Sequence, residues 1–378
     1  MGDAAAHCKR FPEGRLRDCA ADAGGSILRR MEKVAVIGLG YVGLPLSLVF
    51  AEAGLSVVGL DLDETKVGAL NAGRSYIRHI DGGDIAAQVE AGRFLASCDY
   101  SLIEGCDAVV ICVPSPLNKY REPDLSFILS TAEEVGRHLA GGPKKVVVLE
   151  STTYPGTTEE EMREVLERES GLKAGDGFHL AFSPEREDPG NPASKVRQIP
   201  KIIGGFSPEC TERALELYGK AVEKPVPVSS CRVAEATKLT ENIFRSVNIA
   251  LVNELKVVFA AMGIDVWEVI DAAKTKPFGF MPFYPGPGLG GHCIPIDPFY
   301  LTWKAREFGL HTRFIELAGE MNDSMLSYTV SRVSEALNHH RKPLMGSRIL
   351  IVRLAYKPQA DDMPEAPPPH PSHRLHPV

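Results

Sequence analysis

The sequence predicts an α/β protein, with a doubly wound sheet at its amino end and an all-helical domain built on one long helix after it. Three observations lead to this prediction. An apolar run at residues 34–37 leads directly into the glycine turn Gly38-x-Gly40-x-x-Gly43. Further apolar runs of strand length recur as far as residue 205, and helical stretches separate them, as in parallel βαβ units. Residues 233–262 contain few helix breakers and have apolar residues at nearly helical spacing.

The glycine turn is typical of a site for the pyrophosphate of a dinucleotide, which predicts a Rossmann-type domain. Its glycines permit a tight turn, close approach of the backbone to phosphate, and close packing of the helix on the strand. Asp61 ends the next predicted strand, at residues 56–60, and an acid at this position suits a ribose hydroxyl and favours NAD over NADP. Asp63 is a competing candidate for the acid. The predicted cofactor contacts in the turn are Gly38, Gly40, Tyr41, Val42 and Gly43.

Later predicted strands also end in polar residues that can reach a ligand. The strands at residues 108–113, 145–150 and 179–182 are followed by Ser115, Thr152 and Glu185, respectively. Ligands of doubly wound sheets bind beyond the carboxyl ends of the strands, so we expect Ser115 and Thr152 near the nicotinamide. A hydroxyl that caps the next turn is an equally good interpretation of each. The run at residues 201–205 is predicted to close the sheet.

A loop at residues 285–298 contains four glycines and four prolines, which exclude regular structure and shape the backbone around Cys293. Asp297 follows four residues later. A cysteine in such a loop beside a carboxylate can act as a nucleophile, because a thiolate attacks carbonyl carbons well. The alternative is a buried structural cysteine, which is the more common state of free cysteines.

Composition limits the classes of partner and location. The 378 residues are enough for two or three domains, and 44% hydrophobic with 24% charged residues is usual for a globular protein. A net charge of −7 without a basic stripe argues against nucleic acid. The eight cysteines include no C-x-x-C pair, so we predict no metal site and interpret them as reduced thiols of a cytoplasmic protein. Glycines and Pro45 interrupt the uncharged run at residues 34–51, so we predict no membrane partner.

Three stretches resemble the UDP-glucose/GDP-mannose dehydrogenase family of nucleotide-sugar 6-dehydrogenases, and the resemblance extends over about residues 31–365. They are Gly-Gly-His-Cys-Ile-Pro-Ile-Asp-Pro-Phe-Tyr around Cys293, Ser-Pro-Glu ending in Glu185, and Ala-Glu-Ala-Thr-Lys-Leu-Thr-Glu-Asn ending in Asn242. The sequences of the cysteine loop and of Glu-Arg-Glu-Asp-Pro-Gly-Asn after residue 184 look most like those of the branch that acts on UDP-N-acetylhexosamines.

This resemblance implies an NAD-dependent four-electron oxidation of the 6-hydroxyl of a UDP-N-acetylhexosamine, UDP-N-acetylglucosamine first, through a cysteine thiohemiacetal and thioester. Lys238 would stabilise oxyanions, Asn242 and Thr152 would position a water or the sugar hydroxyl, and Glu185 and Asp297 would share proton transfer. The implied catalytic residues are Cys293, Lys238, Asn242, Asp297, Glu185 and Thr152. The implied substrate-binding residues are Glu185, Lys238, Asn242, Gly288, Gly290 and Gly291.

The predicted domain organisation follows the family with one departure. We expect a disordered extension at residues 1–30, the NAD-binding domain at 31–227 and a helical domain at 228–330 that forms a homodimer through its long helix. A strand is predicted from residue 347, but Arg353 and Pro364 depart from the family pattern and a proline-rich tail follows. Residues 331–378 are therefore interpreted as an incomplete, truncated α/β domain for the uridine diphosphate with a disordered tail.

Three alternatives remain open on the sequence alone. The substrate can be UDP-glucose or UDP-N-acetylmannosamine instead. The chain can also be an inactive truncated homologue that binds NAD. A hydroxyacyl or phosphogluconate dehydrogenase would have the same architecture but would need no reactive cysteine.

Overall fold

The structure is a computed structural model. Its centre is one eight-stranded sheet with helices on both faces. The structure describes residues 31–118, 120–186, 196–291 and 294–350. The strands are β1 (Lys33–Ile37), β2 (Ser56–Leu60), β3 (Phe94–Ser97), β4 (Ala108–Ile111), β5 (Val146–Leu149), β6 (His179–Phe182), β7 (Lys201–Gly205) and β8 (Pro225–Val228). The helices are α1 (Gly43–Glu52), α2 (Glu64–Asn71), α3 (Gly82–Glu90), α4 (Ser126–Arg137), α5 (Arg163–Ser170), α6 (Pro208–Tyr218), α7 (Cys231–Ala261), α8 (Val266–Ala273), α9 (Asp297–Glu307) and α10 (Arg313–His339).

The strand order creates a crevice where a ligand can bind. The strands lie in the order β3-β2-β1-β4-β5-β6-β7-β8. The chain moves outward from β1 to β3 and then returns to the other side of β1 at β4, which makes the β1–β4 boundary the topological switch point. Loops that leave the carboxyl ends of these two strands diverge, and dinucleotides bind in the crevice between them.

The apolar runs become strands that are buried on both faces. Successive side chains of β1 point to opposite sides, so Val34 and Val36 lie in one buried cluster while Ala35 and Ile37 lie in the other. Both clusters are covered by helices, which explains why the run is apolar at every position.

Two strands, β7 and β8, run opposite to the other six. Strand β7 pairs antiparallel with β6, whereas the remaining strand pairs are parallel. Its first residue, Lys201, therefore lies at the edge of the sheet where β5 and β6 end. This reversal brings a basic residue to the carboxyl edge, where most of the candidate site residues lie.

The long helix α7 is attached to that same edge by two contacts. A Cβ at Gly204 of β7 would lie 2.1 Å from the main-chain oxygen of Ser230, so strand and helix meet at backbone contact. The buried Glu235 carboxylate accepts hydrogen bonds from Gly156 N at 2.7 Å, and from Thr158 N at 3.0 Å and Thr158 Oγ1 at 2.7 Å. These contacts fix where the first turns of α7 lie relative to the sheet.

Helices α8, α9 and α10 surround the remainder of α7. The side chain of Asn253 on α7 donates a hydrogen bond to Asn322 Oδ1 on α10 at 2.9 Å, and Asn322 Nδ2 donates to Ser246 O at 3.2 Å. Both side-chain amides are buried, and these two bonds give each amide nitrogen an acceptor. In the described ranges, no helix has the length and apolar character needed to cross a membrane.

The predicted fold class is confirmed, with an α/β sheet of Rossmann type followed by helices around a long one. The strands β3 and β8 were not predicted, and the prediction that the sheet ends at residues 201–205 is wrong because β8 pairs with β7. The short runs in β3 and β8 contain Ser97 and two prolines, which weaken the apolar strand signal.

The predicted domain boundaries stay predictions, although residue 330 lies inside α10. Residues 347–350 form no strand, and the rest of that predicted strand lies outside the described residues, as do the predicted tail and residues 1–30.

Candidate active site

The glycine turn after β1 leaves space for a ligand at one of its three glycines. Gly38 has φ +88°, and a Cβ there would lie 2.6 Å from Cys112 O. A Cβ at Gly43 would lie 1.9 Å from Gly38 O. At Gly40, by contrast, no described atom lies within 4 Å of the Cβ position. Gly38 and Gly43 are thus required by packing, while Gly40 borders the open space into which a pyrophosphate would fit.

The start of α1 offers main-chain N–H groups to that space. Val42 is the N-cap, and no described side chain caps it. The free N–H groups and the helix dipole favour a bound phosphate. Tyr41, 37% exposed, stacks on His79 with ring centroids 5.9 Å apart at the rim of the turn.

The two candidate acids after β2 have different positions. Asp61 Oδ2 accepts a hydrogen bond from Leu39 N of the glycine turn at 2.9 Å. Asp63 instead caps α2 by accepting from Thr65 N and Lys66 N, and the bond from Lys66 N lowers the pKa of its exposed carboxyl. Asp61 is therefore the acid placed beside the turn, in agreement with the prediction, and its part in ribose binding stays a prediction.

The loops after β4 and β5 are tied together. Ser115 Oγ donates a hydrogen bond to Thr152 O at 2.6 Å, and the hydroxyl of Tyr300 on α9 donates to Ser115 O. The Ser115 hydroxyl thus binds the neighbouring loop rather than capping the next turn, and its place near the nicotinamide stays a prediction. Thr152 is half-buried, and its hydroxyl has no hydrogen-bond partner among the residues that the structure describes.

Lys238, Asn242 and Asp297 form one buried group at the carboxyl edge of the sheet. Lys238 and Asn242 lie one turn apart on α7, and Asp297 is the first residue of α9. Asn242 Nδ2 donates a hydrogen bond to Asp297 Oδ2 at 2.5 Å. The Lys238 ammonium donates to the main-chain oxygen of Glu185. Four of the six residues predicted to be catalytic are therefore joined by hydrogen bonds across three elements.

Burial makes Asp297 suitable for proton transfer near neutral pH. Removal from water raises its pKa from 3.8 to about 7, while the Lys238 charge and the Asn242 hydrogen bond oppose the rise. A group with a pKa near the working pH is an efficient acid or base. Lys238, 8% exposed, supplies a fixed positive charge beside it.

A cavity of about 210 Å³ opens beside this group. Arg186 holds Glu241 with a two-point contact, Nε to Oε2 at 3.2 Å and Nη2 to Oε1 at 2.5 Å, so the carboxylate that lines the cavity is already paired. The cavity is lined by Arg186, Ile199, Pro200, Lys238, Glu241, Asn242 and Arg245. Sequence reasoning missed Arg245, although its spacing from Asn242 places it on the same side of α7.

Two of the four glycines in the cysteine loop have the positive φ that was predicted, but the prediction that residues 285–298 contain no regular structure is wrong at its end, because α9 begins at Asp297. Gly288 has φ +139° and Gly291 has φ +93°, and Gly290 lies between them. Gly286 N donates to Asn253 Oδ1 at 2.9 Å, which anchors the loop to α7, and Gly288 lies beside Leu326 of α10. Cys293 and the neighbouring His292 lie outside the described residues, so the predicted nucleophile stays a prediction.

Comparison with known proteins identifies two consecutive family domains. Residues 32–222 match the NAD binding domain of the UDP-glucose/GDP-mannose dehydrogenase family, and residues 232–324 match its central domain. A UDP-N-acetyl-D-glucosamine 6-dehydrogenase of Pseudomonas aeruginosa is 39% identical over 332 residues, which are 88% of this chain and 77% of that protein. A UDP-N-acetyl-D-mannosamine dehydrogenase of Escherichia coli (strain K12) is 35% identical over 344 residues, 88% of this chain and 80% of that one.

Solved structures give the same result. A UDP-N-acetyl-mannosamine dehydrogenase from Staphylococcus aureus superposes with a TM-score of 0.77 at 30% identity, over 91% of this chain and 78% of that chain. A UDP-D-ManNAc dehydrogenase from Pyrococcus horikoshii has a TM-score of 0.77 at 33% identity, over 82% of this chain and 72% of that chain.

The open space at Gly40 predicts a variant that folds but binds NAD poorly. We expect Gly40→Ala to unfold at the wild-type temperature, because the methyl group meets no described atom, and to bind NAD at least about tenfold more weakly, because it fills the space for the pyrophosphate. Fluorescence titration and thermal unfolding measure the two effects. Gly68→Ala on α2, also in open space, is the matched control and keeps wild-type affinity. Wild-type affinity in Gly40→Ala would contradict the assignment.

The raised pKa of Asp297 predicts how stability depends on pH. Its folded-state pKa of about 7 exceeds 3.8, so between these values the folded state binds more protons than the unfolded state. The free energy of unfolding therefore falls as pH rises through this window. Asp297→Asn keeps an oxygen that accepts from Asn242 but cannot ionise. We therefore expect the free energy of unfolding of this variant to fall less with pH than that of the wild type, by about 1.4 kcal/mol for each unit by which the folded pKa of Asp297 exceeds the unfolded one.

Urea unfolding at pH 5 and pH 8 checks this expectation. Asp271→Asn is the control: a hydrogen bond from Lys274 lowers the pKa of this exposed carboxyl below 3.8, so it is ionised in both states at pH 5 and pH 8 and its loss leaves the pH dependence at the wild-type value. An unchanged pH dependence in Asp297→Asn would show that Asp297 is not desolvated.

Proposed function

The chain belongs to the UDP-glucose/GDP-mannose dehydrogenase family of NAD-dependent UDP-sugar dehydrogenases, and on this premise we propose that it oxidises the 6-hydroxyl of a UDP-N-acetylhexosamine to the uronic acid. UDP-N-acetylglucosamine is the proposed substrate. The observation that carries the proposal is the buried group of Lys238, Asn242 and Asp297 beside Glu185. It lies at the edge of the sheet to which the glycine turn also belongs. Gly40, the start of α1 and Asp61 would hold NAD, and the bound cofactor would accept each hydride.

Removal of the first hydride and proton gives an aldehyde, and the residues nearest the cavity suit this step. A carboxylate takes the hydroxyl proton, a role for which we propose Glu185 or Asp297. The fixed charge of Lys238 stabilises negative charge on the substrate oxygen. The hydroxyl of Thr152 and the amide of Asn242 orient the sugar hydroxyl and later a water molecule.

The second oxidation needs a covalent intermediate, for which we propose Cys293. An aldehyde does not lose hydride readily until a nucleophile adds to its carbon. Addition of the Cys293 thiolate gives a thiohemiacetal, loss of a second hydride gives a thioester, and attack by water releases the carboxylate and restores the thiol. Main-chain N–H groups of Gly288, Gly290 and Gly291 are proposed to lie against the sugar.

The proposed choice of sugar rests on similarity. A UDP-N-acetyl-D-glucosamine 6-dehydrogenase is among the similar proteins, and so are UDP-N-acetyl-D-mannosamine dehydrogenases at 34–35% identity. The sequence of the cysteine loop resembles the branch that acts on UDP-N-acetylhexosamines, which favours this group of sugars over UDP-glucose. The proposed location is the cytoplasm.

We further propose that the protein is a homodimer through α7. Large apolar side chains are exposed along this helix and at α8: Phe244 is 47% exposed, Leu251 52%, Val258 45% and Trp267 42%. A cavity of about 270 Å³ lined by Leu251, Leu255 and Phe259 lies in the same face. Burial of apolar area of this kind favours association with a second copy of the same surface.

NADH formation from a panel of UDP-sugars tests the proposed activity. We expect UDP-N-acetylglucosamine to give two NADH for each uronic acid, with no free aldehyde, because both oxidations occur before release. UDP-N-acetylmannosamine and UDP-glucose are the competing substrates in the same assay. One NADH for each sugar would point to simple alcohol oxidation, and no NADH from any UDP-sugar by a protein that binds NAD would select the inactive homologue.

Cys293→Ser separates the covalent step from cofactor binding in that assay. We expect this variant to form no carboxylate, while its NAD affinity remains that of the wild type. Cys98→Ser, at an exposed cysteine outside the site, is the control and keeps full activity. Wild-type rates of acid formation in Cys293→Ser would refute the covalent route.

The dimer is tested by sedimentation of a variant with a charge in the proposed interface. We expect Leu251→Glu to sediment as a monomer, because a carboxylate buried between two copies is costly. Leu95→Glu on β3 is the matched control, since its side chain is 50% exposed against 52% for Leu251, and it stays a dimer. A monomeric wild type, or a dimeric Leu251→Glu variant, would contradict the proposal.

A further inference from the structure

A buried ion pair lies behind the candidate active site, at the same edge of the sheet. Lys201 Nζ is 2.6 Å from Glu150 Oε2, and the two side chains are 7% and 0% exposed. The hydroxyl of Tyr218 on α6 donates to the other carboxylate oxygen of Glu150. The Tyr218 ring centroid also lies 5.5 Å from Lys201 Nζ. Neither Lys201 nor Glu150 is among the residues assigned to the site above.

Lys201 has a second carboxylate partner, Glu185. Its Nζ lies 3.8 Å from Glu185 Oε2, and the Glu185 side chain is 14% exposed. The register explains why they meet: β6 and β7 pair Ala181 with Gly205 and Phe182 with Gly204. Continued beyond Phe182, the same antiparallel register brings Glu185 opposite Lys201. The geometry therefore follows from the antiparallel pairing of β6 with β7.

We infer that Lys201 is a positioning residue for Glu185, and that the buried Glu150 sets how strongly the charge of Lys201 acts on the Glu185 carboxylate. Lys201 fixes where the Glu185 side chain lies and places a positive charge beside its carboxylate. Glu150 fixes Lys201 and shares its charge. The inference rests on the proposed function, in which Glu185 takes part in proton transfer.

The other charged and titratable groups near Glu185 belong to several elements. Lys238 on α7 binds the main-chain oxygen of Glu185, and Arg186 is paired with Glu241 of α7. The groups that the structure describes around this chain of contacts are Glu150 after β5, Lys201 on β7, Tyr218 on α6, Lys238 and Glu241 on α7, and the Cys112 thiol after β4. Of these groups, Lys201 contacts the Glu185 carboxylate itself, with Nζ 3.8 Å from Oε2.

Two carboxylates that share one ammonium compete for its charge. Removal from water raises the pKa of Glu150, and the Lys201 ammonium opposes that rise. Because both ends of the pair are shielded from solvent, their electrostatic interaction with Glu185 is only weakly screened. The negative charge of Glu150 therefore cancels part of the positive charge that Glu185 experiences. Removal of Lys201 and removal of the Glu150 charge should change the ionisation of Glu185 in opposite directions.

The pH dependence of kcat/KM for NADH formation tests this opposition. We expect Lys201→Met to shift the acidic limb of the profile upward by about one pH unit or more, as loss of a cation near 4 Å does, and to lower kcat. Glu150→Gln should shift the same limb to lower pH, because Lys201 then acts on Glu185 alone. Lys201→Arg keeps the charge and should restore the wild-type limb.

The control is Lys145→Met, the same substitution at another buried lysine. Lys145 is 1% exposed and precedes β5, so it lies at the opposite edge of the sheet and binds Gly141 O. We expect this variant to lose stability without any shift of the limb. Shifts of the same sign in Lys201→Met and Glu150→Gln, or no shift in a folded Glu150→Gln, would overturn the inference. If Lys201→Met does not fold, the downward shift in Glu150→Gln and the wild-type limb in Lys201→Arg decide it.

A second measurement reads the same effect without turnover. In protein labelled with 13C at glutamate carboxyls, the Glu185 resonance is the one that disappears in Glu185→Gln. We expect it to titrate at lower pH in Glu150→Gln than in the wild type. An unchanged titration would overturn the inference. If no UDP-sugar is oxidised by the wild type but the resonance shifts as expected, the proposed function has failed while the placement of Glu185 by Lys201 stands.

Discussion

The attachment of α7 to the carboxyl edge of the sheet is the constraint on which the candidate site depends. Gly204 allows the strand and the helix to meet at backbone contact, and the buried Glu235 accepts three hydrogen bonds from Gly156 and Thr158. Glu235 is one turn before Lys238 on the same helix, and Asn242 is one turn after it. A rigid helix fixed at its first turns therefore delivers both side chains to the ends of the strands, where the loops after β5 and β6 meet them.

Burial gives the groups at this edge their chemical properties. Asp297 is kept from water, so its pKa rises to about 7 although Lys238 and the hydrogen bond from Asn242 oppose the rise. Glu150 is fully buried and is held by Lys201 and Tyr218. Buried charges of this kind add little to stability, since removal from water offsets most of their mutual attraction. Their arrangement is better explained by the need for fixed charge beside a substrate than by a contribution to folding.

Local sequence signals accounted for the first half of the fold and for individual site residues. A strand, the G-x-G-x-x-G turn, a helix and an acid require one another over about 25 residues, so this unit could be predicted without any long-range information. The periodicity of α7 likewise predicted that Lys238 and Asn242 share a face. Strand β8 gave a weak signal because it begins with Pro225 and includes Pro227, and its pairing with β7 decided its structure.

By itself, the sequence predicted which residue types would carry the chemistry, because glycine, cysteine and acidic residues at fixed spacing have few other uses. It also determined the class of fold, because hydrophobic period reflects local backbone geometry. Only the tertiary structure decided which of Asp61 and Asp63 faces the glycine turn, that Asn242 binds Asp297, and that Lys201 stands between Glu150 and Glu185. These contacts join residues up to 55 positions apart in the chain. They depend on strand order and on the reversal of chain direction between β6 and β7, which no local pattern encodes.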